Sequence, residues 1–178
     1  ITYCDAYYSS PAATTGYFSM NSSATNSGGW ASSQMSTNIC GTSLSSYSGT
    51  IIAIIPAALR AVLKSVTKYT DNTGGGSSEA SNVTATTDYF FLLSEFEVFG
   101  SISRANPNEA SKQAQYAYYS AGNSTMKYKH NRTFARADWW LRSPDALYSN
   151  YFVEVNTNGK VSSDGANNSQ GFAPGFCV

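Results

Sequence analysis

Apolar residues fall into a few short runs separated by long polar stretches. From Pro56 to Tyr69, Leu59, Val62, Leu63 and Val66 recur at i, i+3, i+4 and i+7, with Arg60, Lys64 and Lys68 on the other side. That spacing predicts an amphipathic helix with Pro56 in its first turn. The run FFLLSEFEVFG (residues 90–100) is first continuously apolar and then alternates, Phe96 and Val98 against Glu95, Glu97 and Phe99. It predicts a central strand leaving the core. DWWLR reads as a further strand, stopped by Pro144. Residues 151–155 alternate again, Phe152 and Glu154 opposite Tyr151, Val153 and Val155, and residues 160–162 can pair back across the tetrapeptide NTNG. Asn-Gly at a hairpin tip is a strong turn signal, because both residues tolerate positive φ.

The rest is less periodic. The opening third is dominated by turn formers and reads as loops around short strands, with a short helix over residues 30–40 anchored by Trp30. Residues 71–82, DNTGGGSSEASN, predict a flexible exposed loop. Residues 101–137 predict a long insertion carrying a short helix over 113–119. No repeat of solenoid length is present. The expectation is a single α+β domain over residues 1–178, with a small mixed or antiparallel sheet, one or two helices and many loops.

Composition narrows the function classes. Eleven basic and eleven acidic residues cancel, and charged residues are 12% of the chain. A balanced, charge-poor chain lacks the basic footprint that follows a nucleic-acid backbone, and no apolar span is long enough for membrane insertion. Ser, Thr and Asn together make up about a third of the residues, and there are thirteen tyrosines. That mixture suits a recognition surface, Tyr giving contact area at low entropic cost and Ser and Asn adaptable hydrogen bonds. It equally suits a neutral extracellular or virion surface with no special site. The chain opens on Ile1, as a piece of a longer chain would.

Candidate chemistry is sparse. Cys4, Cys40 and Cys177 are far apart and form no CxxC; a clasp between Cys4 and Cys177 and three free, mostly buried thiols both remain open. His130 is the only histidine, in the polar string KYKHNRT, so no metal-ligand spacing is found and no cofactor is expected. GGG at 74–76 is not followed by the Lys-Ser or Lys-Thr of a phosphate loop. Glu95 and Glu97, two apart on a strand, would share a face and are the one conceivable carboxylate pair. Arg142, beside two tryptophans, invites a buried ion pair with Glu95 or Glu97 that fixes the base of the hairpin, ligand binding being the alternative. No catalytic constellation emerges, and the expectation is a non-enzyme.

GGWASSQM, IIPAALRAVLKSVTKYTDN, FFLLSEFEVFG, QYAYY, DWWLRSP, the V-N-x-N-G hairpin and the closing GFAPGFC, in this order over nearly the whole chain, resemble a domain family of unassigned function common in gut Firmicutes and their bacteriophages. That family is similar to the formylglycine-generating-enzyme-like branch of the C-type lectin fold, and to the variable proteins of diversity-generating retroelements, of the major tropism determinant type. The resemblance implies a C-type lectin-like fold. It also implies that the segment after the tryptophan-rich strand, residues 145–170, is where adenine-directed mutagenesis places Asn, Asp, Ser, Tyr, Gly or Ala. Two departures limit what carries over. Neither an EPN- or QPD-like tripeptide nor a WND-like one is present, against calcium-dependent sugar binding, and only Cys177 lies where the formylglycine-generating enzymes carry a cysteine pair.

The expected function is a ligand-binding display domain, on a phage tail or virion surface or alternatively on the bacterial cell surface. The expected partners are a bacterial surface receptor, protein or glycan, and other virion subunits, with the domain homo-oligomeric. Phe152, Val153, Val155 and Val161 are assigned to packing. The candidate binding residues are Asp145, Tyr148, Asn150, Tyr151, Glu154, Asn156, Asn158, Lys160, Ser162, Ser163, Asp164 and Asn167. A structural alternative makes the hairpin a contact between virion subunits, and an enzymatic one would rest on Glu95 and Glu97.

Overall fold

A computed structural model describes residues 18–122, 124–130 and 134–178. In chain order its strands are β1 (Val66–Asp71), β2 (Val83–Asp88), β3 (Phe90–Phe91), β4 (Lys129–His130), β5 (Arg136–Ala137), β6 (Trp139–Pro144), β7 (Tyr151–Val155), β8 (Val161–Gly165), β9 (Gly171–Phe172) and β10 (Gly175–Phe176). They form small sheets: β1 with β2, β3 with β10, β4 with β5, and a four-stranded sheet in the order β8-β7-β6-β9. All pairings are antiparallel except β6 with β9. The fold is mixed α+β with few, short helices.

The four-stranded sheet divides the interior. Trp140, Phe152, Ala166 and Phe172 pack with Trp30, Met20, Met35 and Leu92 on one side. Trp139, Leu141, Val153 and Val155 pack with Val98, Ala105 and Tyr119 on the other. Successive residues of a strand point to opposite faces, so the alternation of β6 and β7 feeds two cores rather than one core and a solvent face. Every residue of β6 is buried. The predicted hairpin is present, with Val155 opposite Val161 and Tyr151 opposite Gly165. Trp30 is the predicted anchor: it is fully buried, and its Nε1 donates to Asp88 Oδ1 at 3.3 Å. It belongs to the helix Gly29–Ser32, followed by a π-helical turn at Met35–Cys40.

Several expectations are corrected. The long helix over residues 56–69 is one short helix, Ala57–Arg60, followed by strand β1. Val62 of the apparent stripe is 52% exposed while Leu63 is buried in the first core, so the four residues share no single buried face. The β-branched, aromatic segment VTKYTD instead pairs along its length with VTATTD of β2. The strand expected over residues 90–100 ends at Phe91 and gives way to the helix Glu95–Phe99. Ser94 Oγ accepts from Glu97 N while Ser94 N donates to the Glu97 carboxylate, a capping box whose S-x-x-E signature is plain in SEFE. Among the described residues no strand precedes Val66. The 71–82 connection is tied down at its base, where Asp71 and Gly74 are buried and Asp71 Oδ1 accepts from Thr73 N and Gly74 N. The helix expected over 113–119 is present only as Ala117–Ser120. Cys4 lies outside the described residues, and Cys40 and Cys177 are free.

The sheets and the helix Glu95–Phe99 meet at Arg142 on β6. Its Nε donates to Thr70 Oγ1 at 2.7 Å, Nη1 to Leu92 O at 2.8 Å and to Glu97 Oε2, and Nη2 to Tyr69 O at 3.3 Å. Lys68 Nζ reaches the other oxygen of Glu97 at 2.9 Å. Burial alone would raise the Glu97 carboxyl, but the charges and hydrogen bonds of Arg142 and Lys68 outweigh it and hold it below the ordinary glutamate value. Of the two partners expected for Arg142, the structure selects Glu97. Glu95 turns away and accepts from the N–H groups of Ser103, Arg104 and Ala105. Replacing Arg142 by Met would take the guanidinium from the buried Glu97 carboxylate, which would keep only Lys68 and Ser94 N, and from the Leu92 and Tyr69 carbonyls. Arg142→Met is expected to cost about 3–5 kcal/mol, read as the shift in urea unfolding midpoint at unchanged m-value; a shift worth under ~1 kcal/mol would show that the guanidinium is not the junction described.

Candidate binding surface

β6 delivers the chain into the 145–151 loop through Asp145, whose side chain is fully buried. Asp145 Oδ1 accepts from Leu147 N at 2.8 Å and Tyr148 N at 3.2 Å, and Asp145 N donates to Tyr151 O, closing the loop on itself. From below, the buried amide of Asn26 directs its Nδ2 at the carbonyls of Asp145, Tyr148 and Tyr151, at 3.1, 2.9 and 2.8 Å. Asn26 N donates to Ser149 O, and Asn26 Oδ1 accepts from Gly75 N. Gly74, at φ 62°, passes so close to Asn26 O that any Cβ would overlap it. The GGG triplet is therefore the seat of the loop. All these bonds except the Asp145 cap grip backbone atoms. The side chains they present are free to face solvent: Leu147 is 73% and Tyr148 50% exposed, with the Tyr148 and Tyr151 rings 5.3 Å apart.

The other end of the hairpin is shaped by asparagine as well. Asn156 Oδ1 accepts from Asn158 N at 2.9 Å and Lys160 N at 3.1 Å, and Gly159, at φ 72°, lies against Ser124 O with no room for a Cβ. Lys160 stands exposed beside an open, mostly apolar hollow of about 440 Å³ bordered by Phe99 and Val161. Between the two ends run Ser162, Ser163 and Asp164 of β8, half-buried. Ser163 Oγ accepts from Arg104 Nη1, and Asp164 accepts from Gly165 N and from the amides of Asn168 and Gln170.

The predicted residues thus separate into two groups. Tyr148, Asn150, Tyr151 and Asn167 gather at one end of the β7–β8 ladder, where Ala166 N donates to Asn150 O. Asn156, Asn158 and Lys160 lie at the other, roughly 16 Å away along five residues of strand. Glu154, expected on the outer face, is buried and corrects that expectation, and Asp145, expected among the binding residues, is fully buried as well. Asp145 caps the loop. Glu154 lies opposite Trp140 on a sheet face covered by the first core. Asn26 and the exposed Leu147 were not among the predicted site residues; Asn26 meets the loop across more than a hundred residues, and no local spacing signals that. Over residues 12–178 the chain matches the model of a domain of unknown function, DUF6273. The chain belongs to that family. No curated protein and no solved structure matches it.

Among the described residues no three His, Cys, Asp or Glu side chains are placed to hold a metal ion. No described helix is long and apolar enough to cross a membrane. Glu95 and Glu97 face different partners, so the carboxylate pair that an enzymatic reading needs is not formed by these two. His130 lies in β4, its ring 5.3 Å from that of Tyr128.

Glu154 is the most perturbed group of the hairpin. Burial, then the charges of Asp138 and Asp164, push its carboxyl up to about 8 against a contribution from Ser162, and its Oε2 has no hydrogen-bond partner among the described residues. The folded domain holds a proton there that the unfolded chain releases near its ordinary value of 4.5. The stability tied to that proton is fully present below pH 4.5 and is lost as pH rises through 8. Glu154→Gln, which mimics the protonated form, is expected to change stability little at acid pH and to raise it by on the order of 1–3 kcal/mol above the folded value. Thermal unfolding on both sides of the window checks this; an equal shift at both ends would mean that the group does not titrate as described.

Proposed function

We propose that this domain is a non-enzymatic display module that binds a receptor on a bacterial surface, carried on a phage tail or virion surface. The resemblance of its motifs to C-type-lectin-fold variable proteins of diversity-generating retroelements supports this reading. One observation carries it: the 145–151 loop is held almost wholly through its own backbone, by Asn26 and the GGG seat, while Leu147, Tyr148 and Tyr151 project from it. A loop fixed by its carbonyls and by the Asp145 cap keeps its shape whatever side chains it carries beyond Asp145. Exchange at those positions costs the core nothing, as a diversified surface requires. Tyr148 and Tyr151 act as the aromatic anchors, with Asn150 and Asn167 as adaptable hydrogen-bonding groups beside them. Asp145 and Glu154 belong to the support. Asn156, Asn158 and Lys160 at the far tip, with Ser162, Ser163 and Asp164 along β8, widen the contact for a large receptor. Homo-oligomeric display would raise weak single contacts to firm attachment.

The exposed Leu147 also fits a second reading, in which the loop is covered by a neighbouring virion subunit. Particles carrying Tyr148→Ala with Tyr151→Ala separate the two. The display reading expects attachment to host cells to fall at least about tenfold while the domain keeps its unfolding midpoint and the particles assemble normally. Failed assembly with a folded domain favours the subunit contact, and unchanged attachment rejects this face.

A further inference from the structure

Away from the display loop, a cleft of about 380 Å³ opens between β1, the helix Glu95–Phe99 and the segment 112–117. Its walls are fixed. Gln113 Nε2 donates to Tyr69 O at 2.8 Å and its carbonyl oxygen accepts from Ser94 Oγ, while Gln115 Nε2 donates to Val98 O at 3.0 Å. Both amide nitrogens bond backbone carbonyls, which fixes these side chains as walls of the cleft. Tyr116, 40% exposed, forms an aromatic side, its hydroxyl accepting from Lys68 Nζ at 2.9 Å. Tyr69 lines the cleft as well, and Lys112 Nζ stands 5.9 Å from its ring centre.

The charges are unevenly matched. Among the described residues Glu97 is the only carboxylate lining the cleft, and it is shared by Lys68 and the buried Arg142. Lys112 is exposed and makes no ion pair among the described residues. A ligand entering here meets tyrosine rings, an unpaired ammonium and no free carboxylate to repel an anion. Rings suit the flat C–H face of a pyranose, and the ammonium suits a carboxylate on its rim.

We infer that this cleft is a second binding site, for a saccharide bearing a carboxylate, which stacks on Tyr116 and places its acid group on Lys112. The site is independent of the display surface, so either can fail without the other. Amide NMR titration of the whole chain with D-glucuronate and with D-glucose tests it. Glucuronate is expected to give saturable shifts confined to residues 67–69 and 112–117, weakened by added salt, and to bind at least about fivefold tighter than glucose. Lys112→Gln, at an exposed position, is expected to erase that preference, and Tyr116→Ala to weaken both sugars. Absence of saturable shifts at the cleft with glucuronate, equal binding of glucose, or an unaltered preference in Lys112→Gln would each overturn the proposal.

Discussion

Arg142 carries a full charge at zero exposure, and a buried charge is tolerated only where its donors are answered. Here the answers come from β1, from the residue after β3 and from the helix Glu95–Phe99, through Thr70, Tyr69, Leu92 and Glu97. Each of these segments is too short to be stable by itself. The guanidinium fork lets one side chain set the spacing of all three, which an apolar residue of similar volume would not do with direction. The neighbouring Ser143 extends the junction: its hydroxyl donates to Glu109 Oε2 at 2.7 Å and accepts from Glu95 N, while Glu109 Oε1 takes Asp71 N. Burial raises Glu109 to about 7 in spite of those donors. The polar junction is therefore well connected but holds one carboxyl poised between its two forms near neutrality.

A rigid junction of this kind makes a tolerant surface possible. β6 is pinned at Arg142 and Ser143, and the chain leaves it two residues later into the 145–151 loop. The loop inherits a fixed point of departure, and Asn26 fixes its remaining carbonyls. Segments held through side chains, such as Asp164 with its three donors, lack that freedom, because exchanging the residue removes the bonds. The hairpin is thus graded, freest at the exposed Leu147, Tyr148, Asn158 and Lys160, and most constrained at Asp145, Glu154, Asn156, Gly159 and Asp164.

What could be read from the sequence follows the range of the interactions. The hairpin, the tryptophan strand and the Trp30 anchor were legible, because period-two alternation and an Asn-Gly turn are local signals that tertiary packing did not override. The Arg142–Glu97 pair was legible as one of two choices, since a buried arginine needs a carboxylate. The stripe Leu59, Val62, Leu63 and Val66 misled because period alone does not say whether a face is buried; the β-branched residues after it, matched by VTATTD, decided for a strand. At Ser94 the period misled again although a capping box stood in plain view. Asn26 was illegible for a different reason, as its partners lie about 120 residues away and are carbonyls, which carry no sequence signature.

The same logic explains why Asp145 and Glu154 were misplaced. An alternating strand with Glu among its residues reads as half solvated, which holds when a sheet has one wet face. This sheet is covered on both faces, Trp140 and Phe152 on one and Trp139 and Val153 on the other, so no face was left for Glu154 to escape to. Protonation is the cheapest response open to an unpaired carboxyl in that position, and the nearby Asp138 and Asp164 favour it further. Asp145 is buried too, where one of its oxygens accepts from two backbone N–H groups and Arg104 Nη1 stands 3.8 Å from the other. Both acidic residues are therefore enclosed by the sheet and the loop that follows β6, with Asp145 shaping that loop through its backbone N–H groups.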